Sequence, residues 1–287
     1  MDVRDLTGRC ALVTGAGSGI GRASALAFAQ RGASLAVCDI DEVGLGETAA
    51  QLRRLGREVI AERVDVADAG AVERFAAVVH ARVPAVDLLM NNAGVAIGAA
   101  FLDTPLDAWR WIVDINLMGV VHCCRSFVPK MVERGRGGHV VNVASAAGYA
   151  ASQLLCAYST TKFAVVGLSE ALREELAGHG IGVTAVCPGL IDTPITRAAR
   201  MFGLVDSEAM RERIVEGYRR RGYGPERVAA SLLRAVQRDR SVAPIAPEAW
   251  ALYWLKRYTP RLLAWLSARS SDRALAPLRA ARDAGDP

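Results

Sequence analysis

The stretch Thr14-Gly15-Ala16-Gly17-Ser18-Gly19-Ile20-Gly21 decides the fold. It follows an apolar run of strand length, 10–14, and precedes residues 23–29, whose apolar positions have helical period. A glycine-rich turn between strand and helix lets the backbone approach a pyrophosphate. The helix N-terminus then offers unpaired N–H donors and a favourable dipole. Glycines alone would serve a tight turn equally well; the strand before and the helix after point to a dinucleotide held by Gly15, Ser18, Gly19, Ile20 and Gly21.

Outward from this turn, short apolar runs alternate with longer helical segments. Seven strands are expected, at 10–14, 34–39, 58–65, 86–91, 139–145, 182–187 and 242–246. Between them helices are expected at 19–31, 42–55, 72–82, 106–133, 157–177 and 225–237. Parallel strands need crossover connections, which bury both faces of the sheet. The pattern therefore predicts an α/β, Rossmann-type, doubly wound seven-stranded parallel sheet with helices on both faces.

Such a sheet gathers its ligand site at the carboxyl ends of the strands. Asp39 ends the second strand, 24 residues after Gly15. A carboxylate there accepts hydrogen bonds from the adenosine ribose hydroxyls and repels a 2′-phosphate. No Arg or Lys stands at Ser18, Ile40 or Asp41 to attract one, so NAD is expected rather than NADP. A solvated loop acid beside Asp41 is the plain alternative. Asp65-Val66 and Asn91-Asn92-Ala93-Gly94 end the next two strands, and each alone could be only a turn.

Ser145 closes the fifth strand, with Tyr158 and Lys162 following 13 and 17 residues later. Four residues apart on a helix, Tyr158 and Lys162 share a face. Hydride transfer to a ketone leaves a developing alkoxide, which needs a proton donor; a phenol of ordinary pKa near ~10 serves if an ammonium lowers that value. Lys162 is placed to do so, and the Ser145 hydroxyl to hold the substrate oxygen. Tyr-x-x-x-Lys also occurs by chance on surface helices; its place after the glycine turn and a Ser-ended strand favours catalysis.

With Thr14-Gly15-x-x-x-Gly19-x-Gly21, Asp39, Asp65, Asn91-Asn92-Ala93-Gly94, Asn116, Ser145, Tyr158-x-x-x-Lys162 and Pro188-Gly189-x-x-x-Thr193 in order, the chain resembles the short-chain dehydrogenase/reductase family in its single-domain, NAD-preferring form. The resemblance covers residues 14–193. It implies that Tyr158 is the acid/base, that Lys162 lowers its pKa and binds the nicotinamide ribose, and that Ser145 positions the substrate oxygen. Asn116 would hold a water that passes protons toward Lys162. Asp65 would meet the adenine, Asn92 would line the cofactor cleft, and Ile191 and Thr193 would cover the carboxamide, with Val66, Ala93, Gly94, Pro188 and Gly189 also expected to bind the cofactor. Read by itself, Asn116 is a helix-interior side chain bonding to backbone. Relatives commonly form homo-oligomers, dimers or tetramers, through the helices that correspond to 106–133 and 157–177.

The 287 residues, 52% hydrophobic and 23% charged, suit one α/β unit with elaborations. Residues 1–246 are expected to form the dinucleotide-binding catalytic domain. Within it 190–224, part of an irregular stretch from Pro188, would form a substrate lid. Walls at Ala146, Ala147, Tyr149, Leu154 and Leu155, and at Ile195, Met201 and Phe202 in the lid, carry no charge. A lipophilic secondary alcohol or ketone is the expected substrate. A non-catalytic NAD-binding scaffold or sensor is the alternative, which the presence of both Tyr158 and Lys162 disfavours.

Residues 247–287 are expected as a helical extension, amphipathic and basic over 247–278. From Lys256 onward it holds seven basic residues against three acids. Packing on its own domain, closing the pocket or lining an oligomer interface is favoured over contact with an anionic membrane surface. The net charge of +5 is spread along the chain without interleaved aromatics, so no nucleic-acid partner is expected. The four histidines have no metal-ligand spacing, so no metal is expected. Six scattered cysteines fit free thiols in a reducing cytoplasm, and residues 1–9 lack the apolar core of a secretory signal.

Overall fold

The computed structural model describes residues 1–269. Residues 270–287, with the last part of the expected helical extension and its basic positions Arg273, Arg279 and Arg282, lie outside the described residues.

Strands β1 (Cys10–Thr14), β2 (Ser34–Asp39), β3 (Val59–Arg63), β4 (Leu88–Asn91), β5 (Gly138–Val143), β6 (Ile181–Pro188) and β7 (Val242–Ile245) form one parallel sheet in the order β3-β2-β1-β4-β5-β6-β7. Order reverses between β1 and β4, which pair through Ala11 with Leu88 and Val13 with Met90. A ligand crevice opens at such a switch point because the crossovers on its two sides run to opposite faces.

Alternation along the strands explains why both faces are covered. Leu12 and Leu89 point to one face, Ala11, Val13 and Met90 to the other, and all are buried. The first face packs on helices α3 (Ala69–His80), α5 (Gly119–Arg134) and α6 (Cys156–Leu176) through Phe75, Phe127 and Val165. The second packs on α1 (Gly19–Ala29), α2 (Glu42–Arg54) and α8 (Pro225–Gln237) through Phe28, Leu52 and Leu232. Truncating a fully buried leucine such as Leu12 or Leu89 to alanine costs about 2–5 kcal/mol.

Two departures from the expected elements, and the seating of the C-terminal helix, shape the site. The expected helix 106–133 is α4 (Leu106–Val113), one π turn (Asp114–Met118), then α5. This apolar helical stretch, Leu106–Arg134, is long enough to cross a bilayer, yet it is seated on the sheet through Val120, Cys123, Phe127 and Met131. The stretch after Pro188 is more regular than expected. Arg200–Met201 pairs in parallel with Ile97–Gly98, and α7 (Glu208–Arg221) follows, capped by Ser207 and ended at Gly222 with φ +63°. Finally, α9 (Pro247–Tyr258) lies against the domain through Ala249, Leu252 and Tyr253, and residues 260–269 continue as helix beyond a break at Thr259.

Candidate active site

The glycine turn is built by close approach. A Cβ at Gly15, where φ is +64°, would lie 2.7 Å from the Ala93 Cα, and one at Gly21 would lie 2.0 Å from the Gly15 carbonyl oxygen. No larger residue fits either position. Asn92 braces the turn, donating from Nδ2 to the Thr14 and Gly15 carbonyls at 2.9 and 3.0 Å, while Thr14 Oγ1 accepts from the Asn92 and Ala93 N–H groups. Asn92 is therefore first a strut that joins β4 to the turn. The first turn of α1 has no side-chain cap and no acid, so its N–H groups remain for an anion.

One cleft of about 680 Å³ runs from this turn past the ends of the strands to α6 and α7. Gly15, Ser18, Gly19, Ile20 and Asp39 line one end, with Asp65, Val66, Asn92, Ala93 and Gly94 beyond them. Ser145, Tyr158, Lys162, Pro188, Gly189 and Ile191 line the other, with Thr193. A Cβ at Gly19 would lie 3.3 Å from the Thr193 side chain, so the two ends meet across the turn. Gly21 and Asn116 stand behind the wall as supports.

At the end lined by the glycine turn Asp39 accepts from the Gly17 N–H at 2.7 Å and from the Asp41 N–H at 2.9 Å. A nearby cation is Arg22, which the sequence did not single out. Its guanidinium is engaged by Glu47 at 2.9 Å, by the Gly17 and Gly44 carbonyls and by Thr48 Oγ1. Asp65 caps its own turn, accepting from the Ala67 N–H at 2.9 Å.

At the other end Ser145 lies two residues beyond β5, extended, and its hydroxyl accepts from the Ala147 N–H at 3.1 Å. Tyr158 and Lys162 project from the first two turns of α6 as their spacing requires, with the ammonium 5.7 Å from the centre of the phenol ring. Lys162 is buried, and Nζ donates to the Val143 carbonyl at 2.9 Å. Burial lowers its pKa to about 8. The Tyr158 phenol is pushed up to about 12 by burial, a rise that the Ser145 hydroxyl beside it partly offsets. The Lys162 ammonium is turned to the Val143 carbonyl, and burial dominates the Tyr158 phenol.

Asn116 sits in the π turn, wholly buried. It donates from Nδ2 to the Val95 carbonyl at 2.9 Å and to Thr161 Oγ1 at 3.2 Å, and its Oδ1 accepts from the Val95 N–H at 2.8 Å. Both amide hydrogens are used, and one lone pair on Oδ1 remains. A Cβ on Gly94 would stand 3.1 Å from Asn116 Oδ1 and 3.5 Å from Lys162 Nζ, which shows how tightly the three converge.

Of the expected substrate walls, Ala146, Ala147, Leu155 and Ile195 line the cleft. Tyr149 does not: its hydroxyl donates to the Ala249 carbonyl at 2.7 Å, because α9 fills the space beside it. Met201 and Phe202 pack instead against the strand at Ile97–Gly98 and its cluster, and Leu154 gives its carbonyl to the Ala99 N–H. Residues not singled out by sequence replace them: Trp111, Ile115, Ile214 and Tyr218, and Leu252 and Glu248 from α9. Glu248 accepts from the Leu190 N–H at 2.9 Å and pairs with Arg221, tying the loop after β6 to α7. An acid in the first turn of a helix reads as ordinary dipole compensation, so nothing in the sequence marks this role.

Comparison with known proteins follows the same lines. Residues 9–202 match the family model described as short chain dehydrogenase. "Probable oxidoreductase EphD" of Mycobacterium tuberculosis is 44% identical over 255 residues, covering 88% of this chain but 43% of that protein, so the chain spans less than half of that relative. The 1-deoxy-11-beta-hydroxypentalenate dehydrogenase of Streptomyces exfoliatus is 36% identical over 191 residues, 66% of this chain and 70% of the relative. A short chain dehydrogenase/reductase from Burkholderia phymatum, crystallised in complex with NAD, superposes with a TM-score of 0.81 at 32% identity, covering 90% of this chain and 96% of that one.

Proposed function

The chain belongs to the short-chain dehydrogenase family of oxidoreductases, and from that premise we propose that it interconverts a lipophilic secondary alcohol and its ketone with NAD(H), using Tyr158 as general acid/base. The observation that carries this reading is the convergence of Ser145, Tyr158 and Lys162 on the same cleft as the uncapped glycine turn. Bound NAD supplies the hydride acceptor and, reduced, the donor.

In this reading Ser145 holds the alcohol oxygen and the Tyr158 phenolate takes its proton. A phenol pushed up to about 12 is a poor base at neutral pH, so charge must be brought to it. Lys162 is the only cation among the described residues lining the cleft, and that task falls to it. Asn116, Thr161 and the Val143 carbonyl hold α6, the π turn and β5 in register around the ammonium. Asn116 thus acts as a positioning residue.

NAD is favoured over NADP by the Asp39 carboxylate at the adenosine end and by the engagement of Arg22 with Glu47. NAD in the Burkholderia protein agrees. A lipophilic substrate is favoured by the walls of Trp111, Ile195, Ile214 and Leu252, and the named substrate of the Streptomyces relative, a hydroxylated pentalenate, is in line with it. Residues 190–224 act as the substrate lid, fastened by Arg221 and Glu248. Exposed Leu106 on α4 and Phe163 on α6 mark the face for a homo-oligomer contact.

The test is dye-linked NAD reduction with a panel of secondary alcohols, wild type against Tyr158→Phe. A loss of about a hundredfold or more is expected. Equal rates would remove Tyr158 from the chemistry.

A further inference from the structure

The inner side of α9 is spent on the domain, but its outer side is not. Trp254 is 45% exposed and Tyr258 72%. Their rings continue a ladder begun at Trp250: Trp250 stacks on Trp254 at 6.1 Å between centroids, and Trp254 on Tyr258 at 5.6 Å. Beyond the break at Thr259, residues 260–269 extend the pattern with Leu262, Trp265 and Leu266, each 40–50% exposed, while Leu263 is buried. Cations flank the rings. Arg240 lies over the Trp250 ring at 5.2 Å and Arg269 over that of Trp265 at 4.2 Å, while Lys256, Arg257 and Arg261 are exposed. No Asp or Glu stands between Glu248 and Asp272.

We propose that the outward face of α9 and residues 260–269 is a docking surface for an anionic lipid bilayer. Tryptophan and tyrosine favour the headgroup level, where the ring is in an apolar setting and its N–H or O–H is hydrated. Lysine and arginine beside them are drawn to anionic lipid. A second copy of this chain is the poorer match. An isologous contact would lay this uniformly cationic strip against its own image, with no acid in the strip to pair with. Docking also has a consequence that rests on the proposed function. Leu252, on the same helix, borders the cleft, so a docked molecule holds its apolar pocket beside the phase in which a lipophilic alcohol concentrates.

The test is co-sedimentation of the full chain with vesicles of phosphatidylcholine, with and without phosphatidylglycerol. It needs no turnover, so its outcome is separable from that of the proposed reaction. Pelleting is expected only with phosphatidylglycerol and should weaken with added salt. The Trp254→Ser/Tyr258→Ser double variant is expected to lose it. Arg257→Gln, an exposed change that leaves the packing intact, should bind about fivefold more weakly. Unchanged melting temperatures show that each variant is folded. The proposal is overturned if wild type does not pellet with anionic vesicles, pellets equally with pure phosphatidylcholine, or is matched by either variant. It is also overturned if sedimentation velocity shows a wild-type oligomer that the double variant dissociates, since that assigns the face to a second copy.

Discussion

The ammonium of Lys162 is held 2.9 Å from the Val143 carbonyl oxygen, inside the domain and without a carboxylate partner among the described residues. Burial lowers its pKa from 10.5 to about 8. As pH falls through that window the unfolded chain takes up the proton first, so the folded state loses stability, and the loss is complete at neutral pH. Lys162→Met is therefore expected to be more stable than wild type at neutral pH. The gain is on the order of 3 kcal/mol, less about 1 kcal/mol for the Val143 hydrogen bond. Turnover should be lost. Calorimetry at neutral pH and near 10.5 checks this: the two melting temperatures should converge at the higher pH, and a variant that melts below wild type at neutral pH contradicts the account.

Asp39 governs the cofactor in the proposed reading. Asp39→Ser removes the charge that repels a 2′-phosphate, and the ratio of kcat/KM for NADP to that for NAD should rise by about tenfold or more. The absolute value for NAD should fall, because the bonds from the Gly17 and Asp41 N–H groups are lost as well. A ratio that does not move would place the ribose elsewhere.

His139 sets an acid limit on stability. It is buried on β5 with Nε2 2.8 Å from Thr184 Oγ1, and burial lowers its pKa from 6.5 to about 4 although Asp239 lies 4.0 Å away. The neutral ring's contribution is complete above 6.5 and is lost as pH falls toward 4, by on the order of 3 kcal/mol. Urea unfolding across this range should show the decline in wild type and a flatter profile in His139→Gln. Parallel profiles would rule out His139 as the source.

Ala246 joins β7 to α9 with φ +84° and ψ 151°, a region essentially reserved for glycine. Such strain costs about 1–3 kcal/mol, and glycine's extra freedom in the unfolded chain offsets up to about 1 kcal/mol of the relief. Ala246→Gly should thus raise the free energy of unfolding by about 1 kcal/mol, read from denaturant midpoints. A lower midpoint would mean that the junction is not strained. The strained junction aims α9 so that Glu248 and Leu252 reach the cleft.

The residues that could be read from sequence are those whose chemistry is local. Gly15 and Gly21 announce a close approach, Tyr158 and Lys162 share a helix face by spacing alone, and inner strands such as β1 and β4 stand out because both their faces are apolar. What escaped depends on distant pairing. Two-residue strands at Ile97–Gly98 and Arg200–Met201 are too short for any period to register. Tyr149 was expected in the cleft because it follows Ser145, yet α9, a hundred residues on, gives it the Ala249 carbonyl. Arg22 and Glu47 neutralise each other across two helices, a pairing that shows only when α1 and α2 are packed. The upward shift of the Tyr158 phenol escaped because burial, which sequence spacing does not report, is its largest cause.

The π turn at Asp114–Met118 amounts to one surplus residue in an otherwise continuous α4–α5 rod. Were the same residues wound as regular α-helix, with none removed, everything upstream would rotate by about 100° relative to α5. Trp111 and Ile115 would swing out of the cleft wall, and Asn116 could not keep both Val95 and Thr161. The regular helix would be better as a helix and useless as a wall, so the irregularity ties the length of this segment, as well as its residue types, to the site it serves.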